Sequence, residues 1–293
     1  MLTHYVIPYL GTVLLARLGP DHVHRMLRSL ERDRKSARSR QYARVILRRA
    51  LNHAERWELT TRNAARLVEG PRTSRVRLDD ILTAKQANAV LAAAGGDRLE
   101  ALAVIVLRLG LRKGGALALR WSDIDLDAGE LRVSGTLKRR RNGAGLNFDT
   151  PKTKSAARTL PLIGGVATAL RAHGARQAQE RLAVGPSWGD ADLVFTTPLG
   201  TPIDPRNINR WWDRLCRQAG VGHRRFRASR HTAVILLLDA GVPLEVVSAI
   251  LGHASLAVTA DIYAKVTQDA KRRALRAVEH NADPEPEQGS GAR

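Results

Sequence analysis

Apolar residues recur at helical spacing along most of this chain and at every second position in one short central stretch, so the pattern predicts helices interrupted by a small sheet. Residues 20 to 70 read as two or more helices. Pro20 and Asp21 open one. Ser36 is placed to cap the next, where Tyr42, Val45, Ile46, Ala50 and Leu51 are set among Arg38, Arg40, Arg44, Arg48 and Arg49. Farther along, Leu82-Thr83 starts a helix, and Leu99 to Leu109 is so uniformly apolar that it reads as a buried one. From Glu130 to Leu137 the period changes: Leu131, Val133 and Leu137 share a period of two, which predicts a strand, with others at Leu146 to Phe148 and Arg158 to Leu162. Asn142-Gly143 between the first two suits a tight hairpin, whose central positions need positive φ. Asp204 and Pro205 are the N-cap and first residue of a helix running to Gly220, with Ile208, Trp211, Trp212 and Leu215 as its core stripe. Helices follow over Arg230 to Ala240 and Pro243 to Leu251, parted by Gly241, and a last one over Ala270 to Glu279.

The run EGPRTSRVR, Glu69 to Arg77, is rich in turn formers and poor in apolar side chains, which marks a boundary. The expected organisation is therefore a helical domain at 1–70, a linker at 71–80, a mixed domain at 81–280 and a disordered polar tail at 281–293. The fold class is mainly α (α+β), with a small antiparallel sheet inside an otherwise helical domain.

Composition adds a partner. Lys and Arg number 48 against 28 acids, a net +20 in 293 residues, and 44% hydrophobic content suffices for packed cores. Such a surplus points to a polyanion, nucleic acid first, bound with strong salt dependence. The basic helix carrying Arg38, Arg44 and Arg48 suits a face laid along a DNA backbone and reads equally as a solvated face. The same two readings hold for the hairpin cations Lys138, Arg139, Arg140 and Arg141. A single cysteine, Cys216, excludes an internal disulfide and fits a reducing cytoplasm. The N-terminal apolar run is broken by Pro8 and Gly11 and lacks a leading positive cluster, so a signal peptide is not expected.

The candidate chemistry centres on Leu251 to Tyr263, LGHASLAVTADIY, where Gly252 ends a helix, His253 follows it and Tyr263 comes later. A phenol of pKa about 10 is ionised in only about one molecule in a thousand at neutral pH, so a nucleophilic tyrosine needs cations around it and around the phosphorus it attacks. Three further segments precede it: Gly110-Leu-Arg112-Lys-Gly114, Thr150-Pro-Lys152-Thr-Lys154 ahead of ARTLPL, and FRASRHT with Arg227 and Arg230. No Asp, Glu or His cluster shows metal-ligand spacing.

In this order the segments resemble the tyrosine recombinases of the phage-integrase type, over about residues 8 to 280. The resemblance implies a DNA breaking-rejoining fold with a core-type DNA-binding domain ahead of the catalytic one. It places the two clamp arginines at Arg112 and Arg230, the catalytic lysine at Lys152 with Lys154 as fallback, a phosphate-bonding histidine at His253 and the nucleophile at Tyr263. The chemistry it implies is transesterification through a 3′-phosphotyrosyl intermediate, which keeps the bond energy and requires neither ATP nor metal. Double-stranded DNA is the implied partner, with a homotetramer on two duplexes at synapsis and room for accessory DNA-bending proteins.

The chain departs from the family pattern at three places. Arg227 stands where the family has the histidine of His-x-x-Arg, and an arginine cannot accept a proton; His231 is expected to point off a different helical face, and His223 sits in a preceding loop. Gly115 replaces an acidic residue that braces the first arginine. The front of the chain enters partway into the helical DNA-binding domain. Two alternatives follow: a catalytically degenerate DNA-binding remnant, and a helix-turn-helix regulator built on Arg230 to Leu251. Against the second, Val242-Pro-Leu-Glu-Val-Val is apolar and acidic where base contacts belong.

Overall fold

The computed structural model describes residues 2–72, 80–140, 145–150, 157–252, 255–257 and 259–264. The Asn142-Gly143 turn, the cations Arg141, Lys152 and Lys154, His253, the helix expected at 270–279 and the tail lie outside the described residues. The chain divides into two compact units, Met1–Val76 and Arg77–Arg293.

In the first unit, the short helices α1 (Leu2–Tyr5) and α2 (Ile7–Leu10) precede α3 (Pro20–Arg32) and α4 (Ala37–Arg56). Ser36 caps α4, its Oγ accepting from the Ser39 amide at 3.2 Å. Val23, Met26, Leu27 and Leu30 of α3 pack with Ala43, Leu47 and Leu51 of α4, and Ala64, Ala65 and Val68 close the cluster. Tyr42 and Val45 stand outside it, exposed beside the arginines. Buried Asn63 fixes the return of the chain, its amide donating to Arg48 O at 2.8 Å and Asn52 Oδ1 at 2.7 Å.

The second unit begins with α5 (Ala84–Ala93), closed at its start by a reciprocal Thr83–Gln86 capping box. Next come α6 (Glu100–Arg108), buried on nearly every side, and the short α7 (Lys113–Ala116). The strands form two sheets instead of the expected one. β1 (Ile124–Asp125), β2 (Glu130–Val133) and β5 (Arg158–Pro161) make an antiparallel sheet in the order β1-β2-β5, while β3 (Thr136–Arg139) and β4 (Leu146–Asp149) pair as a separate hairpin. The strand predicted from Glu130 to Leu137 thus breaks at Ser134-Gly135, where Ser134 Oγ donates to Asp123 Oδ2 at 2.5 Å.

Then come α8 (Gly164–Val184), α9 (Pro205–Gln218), α10 (Phe226–Asp239) and α11 (Leu244–Leu251). α10 starts at Phe226 rather than Arg230, so Arg227 and Arg230 share its first turns. Phe226 packs edge-on against buried Trp212 of α9, ring centroids 5.4 Å apart, which anchors that start in the core. Cys216 is fully buried beside it, and burial pushes its thiol up to about 12. Residues 259–264 are helical, with Thr259 and Ile262 buried. Among the described residues no helix is long and apolar enough to cross a membrane.

Candidate active site

The site forms around the end of α11. Gly252 takes the left-handed conformation, φ 62° and ψ 52°, that lets a helix stop and reverse, and its N–H bonds back to the Ser248 and Ala249 carbonyls. A helix end leaves its last carbonyls open and carries about half a negative charge. Arginines from three separate elements converge on it. Arg230 of α10 donates from Nη2 to Leu251 O at 2.6 Å and from Nη1 to Gly110 O at 2.7 Å, the latter 120 residues away in sequence. Arg112, the residue before α7, donates from Nη2 to Gly252 O at 3.2 Å. Arg158 at the start of β5 donates from Nε to Ile250 O at 2.6 Å.

These cations destabilise one another. Burial, then the neighbouring Arg112, Arg158 and Arg227 guanidiniums, push Arg230 down to about 8, and burial with Arg112 beside it pushes Arg158 to about 10. Arg230 is only 8% exposed. An anion delivered here relieves both the repulsion and the desolvation, and guanidiniums suit a phosphate because their planar fork gives paired, charge-assisted bonds.

A cleft of about 670 Å³ opens beside this cluster, lined by Arg112, Arg227, Arg230, His223 and His231 together with Ile262. Tyr263 follows Ile262 on the helical stretch 259–264 and is 41% exposed. His231 also faces this cleft, contrary to the expectation from sequence, because it stands one turn beyond Arg227 on a helix that begins earlier than expected. Burial, Arg227 and Arg230 push its imidazole down to about 4 against a raising effect of Asp80, so it is neutral at pH 7. Lys113 also lines the cleft, where its Nζ donates to Pro205 O at 3.1 Å and Asn209 Oδ1 at 2.8 Å. Buried Gly115 has room for a Cβ, whose nearest neighbour would be Val133 Cγ1 at 3.7 Å.

The candidate DNA-contacting residues divide. Arg38 and Arg48 are exposed on α4, but Arg44 turns inward, donating from Nη1 to Ala65 O at 3.0 Å and Val68 O at 2.6 Å. Half-buried, it ties α4 to the chain return. On the β3–β4 hairpin, Lys138 pairs with Asp149 at 3.0 Å and Arg139 with Asp204 at 2.5 Å, while Arg140 is exposed. Among the described residues no three His, Cys, Asp or Glu side chains group so as to hold a metal ion.

Sequence reasoning passed over Arg158. Its signal is the period of two in β5, which puts Arg158 in phase with buried Leu160. A charge on the inward side of a strand requires partners within the fold.

A helical unit is followed by an α+β unit, in which arginines from distant segments gather at the end of α11 and line a cleft with Ile262, the neighbour of Tyr263. A family model described as "Phage integrase family" matches residues 80–270. An integrase of Streptomyces ambofaciens is 34% identical over 270 residues, covering 89% of this chain and 68% of that protein. A "Tyrosine recombinase XerC-like" protein of Caldanaerobacter subterraneus subsp. tengcongensis is 37% identical over 190 residues, covering 61% of this chain and 49% of that protein. The chain thus spans about two thirds of the former's length and about half of the latter's. Among solved structures, the Tn1549 transposon integrase in complex with transposon right end DNA matches with a TM-score of 0.74 at 22% identity, covering 92% of this chain and 88% of that one. A lambda integrase tetramer bound to a Holliday junction matches with a TM-score of 0.58 at 18% identity, covering 82% and 66%. The chain belongs to the phage integrase family.

Proposed function

We propose that this chain is a site-specific DNA recombinase acting by transesterification in the cytoplasm, with Tyr263 as nucleophile. One observation carries the reading: Arg112, Arg227 and Arg230 line a single cleft together with Ile262, the neighbour of Tyr263. In the reaction the Tyr263 phenolic oxygen attacks the scissile phosphorus, the bond from phosphorus to the 5′ oxygen breaks, and a 3′-phosphotyrosyl link retains the bond energy. Arg112 and Arg230 grip the nonbridging oxygens as charge builds there; arginine contacts of this kind are worth on the order of a thousandfold in phosphoryl transfer. Lys152 protonates the leaving 5′ oxygen, and His253 hydrogen-bonds the phosphate. Arg227 stabilises the phenolate by its charge but takes no proton, so the phenolic proton leaves to solvent and the rate rises with pH up to about 8, where the free clamp begins to lose the charge of Arg230. A 5′ hydroxyl from a partner strand reverses the link, and a homotetramer of this chain on two duplexes would present it, by likeness to the lambda integrase tetramer bound to a Holliday junction.

The test is covalent trapping. A nicked duplex is built on a sequence that the chain itself selects from random duplexes, so that cleavage releases a short strand and cannot be reversed. A protein–DNA adduct is expected with the wild type and none with Tyr263→Phe. Tight binding with no adduct from the wild type at any pH up to about 10 sinks the enzymatic reading in favour of a DNA-binding remnant.

A further inference from the structure

The last three carbonyls at the end of α11 each take a guanidinium from a different part of the chain: Ile250 from Arg158, Leu251 from Arg230 and Gly252 from Arg112. Two of these arginines belong to the proposed phosphate clamp. Arg158 does not, yet of the three it is the one set in the sheet. Its backbone pairs with Val133 of β2, and the next residues of β5 continue the register, Thr159 with Arg132 and Leu160 with Leu131. Buried Leu131, Val133 and Leu160 seat that part of the sheet in the core.

Resting on the recombinase reading, we infer that Arg158 is a positioning residue for the reaction, a strut from the sheet that sets the last turn of α11 and through it the aim of Arg112 and Arg230. The geometry explains how one bond can have that leverage. Arg112 and Arg230 each hold a carbonyl within two residues of Ile250, so a displacement of the last turn moves the anchors of both. The cluster is also held against its own repulsion, because three cations share one helix end. If Ile250 O loses its partner, the turn is freer to move outward, and the clamp arginines follow it away from the phosphate. A shift of about 1 Å at such a site costs about 10²-fold in rate. The strut also begins close behind the segment that carries Lys152, so it ties the strand side of the site to the helix side.

The full-length chain and the selected nicked duplex give the experiment. Arg158→Met keeps the length of the side chain and removes the donor and charge; Arg158→Lys keeps the charge and one donor. Trapping with Arg158→Met is expected to be about 10²-fold slower than wild type, with duplex affinity within about twofold, and Arg158→Lys is expected to recover about tenfold of that loss. Trapping by Arg158→Met at the wild-type rate overturns the inference. So does a loss of DNA affinity as large as the loss of rate, which marks a residue needed only for folding. Should Arg158→Met not fold, Arg158→Lys decides alone: unchanged affinity with about tenfold slower trapping supports the strut, and wild-type trapping overturns it. A wild-type chain that forms no adduct removes the recombinase reading itself, a result separate from any difference between the Arg158 variants.

Discussion

At the scale of single residues, the proton balance of the site is set by what stands on the first turns of α10. Arg227 lines the cleft, where a guanidinium lowers the cost of a phenolate without accepting its proton. Arg227→His is expected to raise trapping near neutral pH by about 10²-fold and to flatten the rise of rate with pH. An unchanged rate and profile would falsify the role given to that position. His231, one turn on, titrates far below its ordinary 6.5, at about 4. Because the folded state disfavours the imidazolium, the unfolded chain takes up the proton first as pH falls. The neutral imidazole therefore contributes its full stability above about pH 6.5 and loses it between there and about 4. Burial lowers His173 as well, which adds a loss of the same sign. Thermal melts from pH 7.5 to 4.5 are expected to show a falling midpoint, with a shallower slope in His231→Gln; a parallel slope in that variant excludes His231 as a contributor. The sequence reveals Arg112, Arg230 and Tyr263 as candidates because each lies in a short recognisable segment. His231 is hidden because its face depends on where α10 begins, and that is decided by Phe226 packing on Trp212 rather than by any local cap.

At the scale of elements, local signals announce themselves where side chains cap or alternate, and stay silent where tertiary contacts decide. Ser36, Thr83 and Asp204 each accept a backbone amide at the helix start expected of them. The break between β2 and β3 is invisible to periodicity because Leu131, Val133 and Leu137 stay in phase across Gly135. α8 escapes notice because its buried face includes His173 and Gln177 beside Val166, Ala167 and Leu170, so its apolar stripe is diluted. Gln177 is retained there because its amide nitrogen donates to the Leu193 and Val194 carbonyls, each at 3.1 Å. The junction of α6 with α7 carries a sharper demand. Gly110 has φ +60°, and a Cβ on it would come 2.3 Å from the buried Leu251 side chain and 3.1 Å from Ala233 Cβ. Gly110→Ala is expected to destabilise the fold by about 1–3 kcal/mol through overpacking and left-handed strain. It should also slow trapping, because Gly110 O and Leu251 O are the two acceptors of Arg230. Denaturant melts and trapping rates check both; a variant with an unchanged midpoint excludes the close approach.

At the scale of the whole molecule, the net +20 acts on a polyanion through the arginines that face solvent, and the two compact units do not offer their cations alike. Arg38 and Arg48 stand exposed on α4 beside exposed Tyr42 and Val45, whereas Arg44 on the same helix holds the Ala65 and Val68 carbonyls. On the hairpin, Lys138 and Arg139 already have carboxylate partners, which a phosphate must displace. Each phosphate neutralised releases condensed counterions, and the slope of log affinity against log salt falls by about 0.9 per contact. Arg38→Ala and Arg48→Ala are each expected to weaken binding to the selected duplex and to an unrelated one by similar factors, and to reduce the magnitude of that slope by about one. Arg44→Ala should leave the slope where it is and lower the melting temperature, because it orphans two carbonyls where the chain returns to α4. Lys138→Ala and Arg139→Ala should change the slope by less than Arg48→Ala, since removing either also releases an aspartate that repels the backbone. Fluorescence anisotropy titrations at four salt concentrations, set beside thermal melts of the same proteins, separate these outcomes. A slope change for Arg44→Ala as large as that for Arg48→Ala would show that both arginines contact the phosphate backbone when DNA is bound.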